Sequence, residues 1–296
     1  MAYPYYCIYV VYVFNNSLSL LFQSMTTTVN SPGRLGNQIF RNIITSEIAK
    51  QNNLKVVEYC MFNKIEQLGI SLYTAGTNIY NDTIQITDEI CMKYVRGEDQ
   101  VNSNINTCDS YFQTPDTAHH IYEYLTTDEQ KQKIMENNIY KERYDSNEDL
   151  FIHLRLGDAM YLHPNISYFD EAISKCTYSK GYLSTENYSH PFCQELMKKY
   201  NLRPLPSFLD EIHTIMFAST CRNIILCTGT YSWIIGVLGY FSKVIYPEMI
   251  EAWTGDIYVI PEWIEILRPN HKLHSFFDTY NNTIPNKVTV RRSKIS

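Results

Sequence analysis

The sequence predicts an α/β protein with a parallel, doubly wound sheet, and three patterns carry that expectation. Leu150-Phe151-Ile152-His153-Leu154-Arg155 is a short apolar run of the kind that forms a strand buried on both faces. Between 208 and 246, helix and strand patterns alternate, which is the arrangement that builds parallel sheets. Nearer the N-terminus, a Gly-rich turn opens a helix that leads into another strand. Sheets of this class hold ligands beyond the carboxyl ends of their strands, so turns that follow strands are the places to look for chemistry.

Taken in order, the turn at Gly33 to Gly36 leads into an amphipathic run through Phe40, Ile43, Ile44, Glu47, Ile48 and Lys50, and Lys55 to Tyr59 reads as a strand. Residues 60 to 145 give short apolar pieces such as Ile84 to Ile90, and a polar helical stretch from Thr127 to Tyr144. The acidic, aperiodic segment Tyr144 to Asp149 is the expected boundary between units spanning 25–145 and 146–267. Beyond the strand at Leu150, Phe208 to Ser219 has helical spacing and Asn223 to Thr228 reads as a buried strand. Thr228 to Tyr240 follows as a turn into an apolar helix, and Lys243 to Tyr246 is another strand. Residues 268–296 form a tail whose Lys287, Arg291, Arg292 and Lys294 read as a solvated end.

Composition narrows the function. The 296 residues are 45% hydrophobic and 14% aromatic, enough for one large or two modest cores. A net charge of -6, from 25 Lys and Arg against 31 Asp and Glu, argues against a nucleic-acid partner, because the long-range field repels phosphate backbones. Any phosphate must be held by a local arrangement. The eight cysteines show no Cys-x-x-Cys spacing and do not cluster with histidine, which argues against structural zinc. Tyr5 to Phe22 is an apolar run interrupted by Asn15, Asn16, Ser17 and Ser19 with no Lys or Arg before it. It reads as a peripheral extension over residues 1–24, with Met25 a plausible start, or as a membrane anchor; the two readings imply a cytoplasmic or a membrane-associated protein.

Three turns have the shape of a site. In Gly33-Arg34-Leu35-Gly36-Asn37-Gln38 the glycines allow a tight turn that exposes amides and the Asn37 and Gln38 side chains at a helix start, although a plain capping turn looks the same. His153 and Arg155 lie two apart at the end of a strand and so share a face, and the Arg offers a planar fork of donors suited to a diphosphate. The alternative for Arg155 is an ion pair with Asp158. Thr228-Gly229-Thr230-Tyr231-Ser232-Trp233 carries a strand into a helix, where hydroxyls and amides can cradle an anion or simply cap the helix. No Asp-x-Asp occurs, so no metal-binding carboxylate pair of that kind is available to a nucleotide diphosphate.

Together, Gly33 to Phe40, His153 to Asp158, Tyr168 to Ile173 and Thr230 to Trp233 resemble, in order and approximate spacing, the motifs of glycosyltransferase family 11. These are the α-1,2-fucosyltransferases, within the superfamily that includes the α-1,6- and protein O-fucosyltransferases. The likeness spans about residues 26 to 267. It departs from the family at Leu156, where a second Arg is usual, and at Ile234-Ile235, which replace Trp-Ala. The resemblance implies a GT-B fold, with two Rossmann-like domains facing across a cleft, the first binding the acceptor and the second the nucleotide sugar. It implies inverting, metal-independent transfer of fucose from GDP-fucose to a glycan hydroxyl, a galactose 2-OH in this family, with no cofactor.

By the same resemblance, Arg155 and Asn37 are the expected catalytic residues. Gly36, Gln38, His153, Arg155, Asp158, Thr230, Tyr231 and Ser232 are the expected donor contacts; Asp158 and His153 are the candidates for general base, and each serves equally well to orient Arg155. The rivals are a transferase for another nucleotide deoxysugar, a catalytically silent sugar- or nucleotide-binding relative, to which Leu156 points, and a membrane-attached interaction protein.

Overall fold

A computed structural model describes residues 26–29, 31–157, 164–206, 208–248, 256–258 and 260–267. The apolar run at 5–22, Met25, Asp158 and the tail at 268–296 lie outside the described residues. Among those described, no helix is long and apolar enough to cross a membrane.

The chain forms two parallel sheets with helices, the α/β, GT-B-like architecture expected from the sequence. The first sheet holds β1 (Thr26–Thr27), β2 (Val56–Glu58), β3 (Thr83–Gln85) and β4 (Asn104–Asn106), in the order β2-β1-β4-β3. Helices α1 (Leu35–Gln51), α2 (Phe62–Gln67) and α3 (Cys91–Val95) lie between these strands in sequence, and α4 (Pro115–Thr126) and α5 (Asp128–Asn137) follow them. The second sheet holds β5 (Asp149–Leu154), β6 (Lys180–Thr185), β7 (Leu202–Pro204), β8 (Asn223–Ile225), β9 (Lys243–Pro247) and β10 (Ile264–Ile266), in the order β10-β9-β8-β5-β6-β7. Its helices are α6 (Ile166–Ser174), α7 (Pro191–Tyr200), α8 (Glu211–Ala218) and α9 (Thr230–Val237). In the first sheet the strand order reverses between β1 and β4, and in the second between β5 and β8; such reversals open crevices for ligands.

Local sequence explains the elements that frame these crevices. All six residues of β5 are buried, as a central strand flanked by β6 and β8 requires. In α1, Ile39, Phe40, Ile43, Ile44 and Ile48 are fully buried, and the helix begins at Leu35, before the apolar period becomes visible. Gly36, Asn37 and Gln38 therefore belong to its first turn. Within residues 60 to 145, α4 starts at a capping box: Thr114 and Thr117 each satisfy the other's backbone, with Pro115 in the first turn.

Two sequence expectations shift. The helix expected from Phe208 starts at Glu211, because Asp210 accepts the His213 amide at 2.8 Å and fixes the N-terminus there. Phe208 stays outside the helix, 82% exposed. Asp149, read as part of a polar linker, is the buried first residue of β5, paired with Arg143 at 2.8 Å.

The two sheets' helices meet directly. Helix α9 packs on α1, with Phe40 edge-on to Trp233 at a centroid distance of 4.8 Å, and one apolar core runs from Leu35 through Trp233 to Ile260. Gly36 makes the approach feasible. A Cβ there would stand 2.5 Å from the Tyr231 amide nitrogen, so a side chain would force the two helix starts apart.

Candidate functional site

The loops beyond β5, β6 and β8 meet the first turn of α1, and this is where most of the sequence-predicted residues gather. His153 is the penultimate residue of β5 and is buried; Arg155 is the first residue beyond the strand, half-buried. On the neighbouring crossover, Gly229 precedes α9 with φ +108° and ψ +160°, a conformation essentially reserved for glycine. The Arg155 guanidinium lies against that glycine: a Cβ at Gly229 would collide with Nη1. Tyr258, wholly buried, donates its hydroxyl to the Cys227 and Gly229 carbonyls, both at 2.8 Å, and so holds the turn in place. The first amides of α9 have no partner within the helix and lie beside this cationic fork, a suitable geometry for an anion.

Ser232 is also buried. Its hydroxyl receives the Cys227 amide at 3.3 Å and is hydrogen-bonded to His153 Nδ1. Burial pushes the His153 imidazole down to about 4, Glu186 pulls it back up, and Arg155 depresses it further. His153 is thus neutral at ordinary pH and fastens β5 to α9.

This burial has a measurable consequence. Between the ordinary imidazole value of 6.5 and about 4, the unfolded chain binds a proton that folded His153 refuses. The His153 contribution to stability is therefore fully present above pH 6.5 and is lost as pH falls toward 4, by up to about 3 kcal/mol. Denaturant midpoints at pH 7 and pH 5 should show a smaller acid loss for His153→Asn than for the parent. Equal losses would contradict the assignment.

From the first unit, Asn37 reaches the same place. Its Oδ1 accepts Thr230 Oγ1 at 2.6 Å and Gln113 Nε2 at 3.0 Å, tying α1 to α9 and to the loop after β4. Gln38 is fully buried, and its amide donates to the carbonyls of Ser31, Pro32 and Gly33 at 3.0 to 3.2 Å. It shapes the opening loop from inside. Tyr231 sets its ring beside His153, at a centroid distance of 5.2 Å, and donates its hydroxyl to the Glu211 carbonyl at 2.8 Å. Asn37, His153, Arg155, Thr230 and Ser232 are brought together, whereas Gly36, Gln38 and Tyr231 act at the joint between the helices.

Leu156 packs into the second apolar cluster with Leu154, Tyr168 and Phe169, so the position where the related motif has a second Arg is an apolar anchor in this chain. Sequence reading missed Glu186, which follows β6. Its carboxylate accepts the Leu156 amide at 3.2 Å and pairs with Arg34 at 2.9 Å, bridging the β5 loop to the opening motif. The signal available was position: Lys180 to Thr185 reads as a strand once β5 is placed, and the residue beyond it stands at the loop that follows β5. Among the described residues, no group of three or more His, Cys, Asp or Glu could hold a metal ion.

No protein-family profile and no curated protein matches the chain. Among solved structures, the fold is similar to the fucosyltransferase NodZ from Bradyrhizobium, with 11% identity and a TM-score of 0.43 over 73% of this chain and 93% of that one. It is likewise similar to NodZ alpha-1,6-fucosyltransferase soaked with GDP-fucose and to the same enzyme co-crystallized with GDP. Each of those matches has 11% identity and a TM-score of 0.41 over 73% of this chain and 92% of the other.

Proposed function

We propose that this chain is an inverting, metal-independent glycosyltransferase that moves fucose from GDP-fucose to a glycan hydroxyl, a galactose 2-OH. The observation that carries the reading is the Arg155 fork set against Gly229 at the amino end of α9, at the strand-order reversal between β5 and β8. The four-motif resemblance supplies the identity of the sugar and of its nucleotide. In this reading residues 146–267 bind the donor and residues 25–145 the acceptor.

As the bond from fucose to the diphosphate breaks, charge develops on the departing phosphate oxygens. Arg155 and the first amides of α9 meet that charge with donors already in place. His153 and Ser232 keep α9 in register with β5, and Asn37 connects the reacting region to the acceptor side.

The purified chain should bind GDP and transfer fucose from GDP-fucose in the presence of chelator. Loss of turnover in chelator, restored by manganese, would overturn the metal-independent mechanism. Leu156 favours one second reading, a nucleotide-binding relative that performs no transfer, since a single Arg would then confront the diphosphate in this motif. GDP binding without turnover of any nucleotide sugar would select it.

A further inference from the structure

Beyond the Arg155 region, the first sheet has its own strand-order reversal, between β1 and β4, and the loop after β4 fills its mouth with an unusual turn. Phe112 sits there at φ +53°, in the left-handed region that a bulky residue seldom adopts, and its ring is fully buried. That anchor turns the preceding residue outward: Tyr111 is 38% exposed. Behind its ring is the guanidinium of Arg41, with the central carbon 5.2 Å from the ring centroid.

Arg41 is itself fully buried and held by carbonyls: Nε donates to Thr107 and Ser110 at 3.1 and 2.9 Å, and Nη1 to Pro32 at 2.9 Å. Tyr111 is therefore backed by a rigid cationic plate. Beside it, Gln113 donates to Asn37 Oδ1, which also accepts from Thr230, so a polar chain leads from the platform to the start of α9.

We propose that Tyr111 is the stacking platform for a neutral pyranose of the acceptor. The proposal rests on the transferase reading above for the word acceptor, but not for the sugar itself. A pyranose presents one face of C–H bonds, which an exposed aromatic plate matches. Two carboxylates offset the buried Arg41 charge, so the turn has no net positive charge for a phosphate: Asp88 accepts the Gln113 backbone amide at 3.2 Å, and Asp109 stands exposed two residues before Tyr111. The strained Phe112 turn gives the platform fixed geometry, since a relaxed turn would let Tyr111 swing away.

The test uses the full chain, lactose as the sugar probe and GDP as the nucleotide probe, with saturation-transfer NMR for the first and calorimetry for the second. The parent should bind lactose. Tyr111→Ala should weaken lactose binding about tenfold, while Tyr111→Trp should stay within about threefold of the parent. GDP affinity should be unchanged in both variants, which also reports that they are folded. Absence of lactose binding by the parent, or parent-like lactose binding by Tyr111→Ala, would overturn the platform. Tyr111-dependent lactose binding in a chain that does not bind GDP would instead support the platform and sink the donor assignment.

Discussion

Arg155→Ala is expected to lower the turnover rate by on the order of 10² to 10³ while weakening GDP binding far less. The reasoning runs through when the charge appears. In the ground state the diphosphate is shared with the sugar and is met by the α9 amides as well as by Arg155. In the transition state an additional negative charge forms on the leaving oxygen, and a fork fixed against Gly229 answers it without having to reorganise. Arg155→Lys keeps a cation but loses the planar pair of donors, so it should recover only part of the rate. A purely structural Arg155 paired with Asp158 gives the opposite pattern: a lower melting temperature in Arg155→Ala, reproduced by Asp158→Ala, with near-normal turnover per folded molecule. Steady-state rates, GDP titration and thermal melts on the three variants separate the two accounts. Parent-level transfer by folded Arg155→Ala would remove the centre of the proposed mechanism.

How much of this site could be read in the sequence depended on the length of the local signal. β5 announced itself because Leu150 to Leu154 is a run apolar but for His153, and α9 because a Gly turn precedes an apolar helix. Of the first sheet only β2 did, within Lys55 to Tyr59, since β1 has two residues and β3 and β4 have three each, too short for any period to show. Contacts between units were also hidden. Gly36 looked like a turn glycine, and its close approach to Tyr231 depends on residues nearly two hundred positions away. Glu186, Tyr258 and Arg41 matter through what they touch, which single-residue chemistry cannot disclose. Leu156 was visible as a departure from the related motif, but its destination in the apolar cluster beside Tyr168 required the fold.

Gly229→Ala is expected to lower stability through the backbone and to be nearly as damaging to turnover as loss of Arg155 through a collision, two separable effects. The first is the backbone. At φ +108° and ψ +160° an L side chain is strained, at a cost of about 1 to 3 kcal/mol, and the Tyr258 hydroxyl holding the Gly229 carbonyl at 2.8 Å opposes relaxation of the turn. The second is the collision of the added methyl with Arg155 Nη1, which would push the fork away from the amides of α9. A double-mutant cycle distinguishes them. In an Arg155→Ala background the collision is gone, so adding Gly229→Ala should reduce stability by the backbone strain alone and lower turnover little further. In the parent background the same glycine substitution should reduce both. The coupling between the two positions, read from turnover, should therefore be large and compensating, with the double variant about as active as Arg155→Ala by itself. Independent, multiplying losses of rate would mean that the two residues serve transfer separately, and would refute the assignment of Gly229 as the seat of the Arg155 guanidinium.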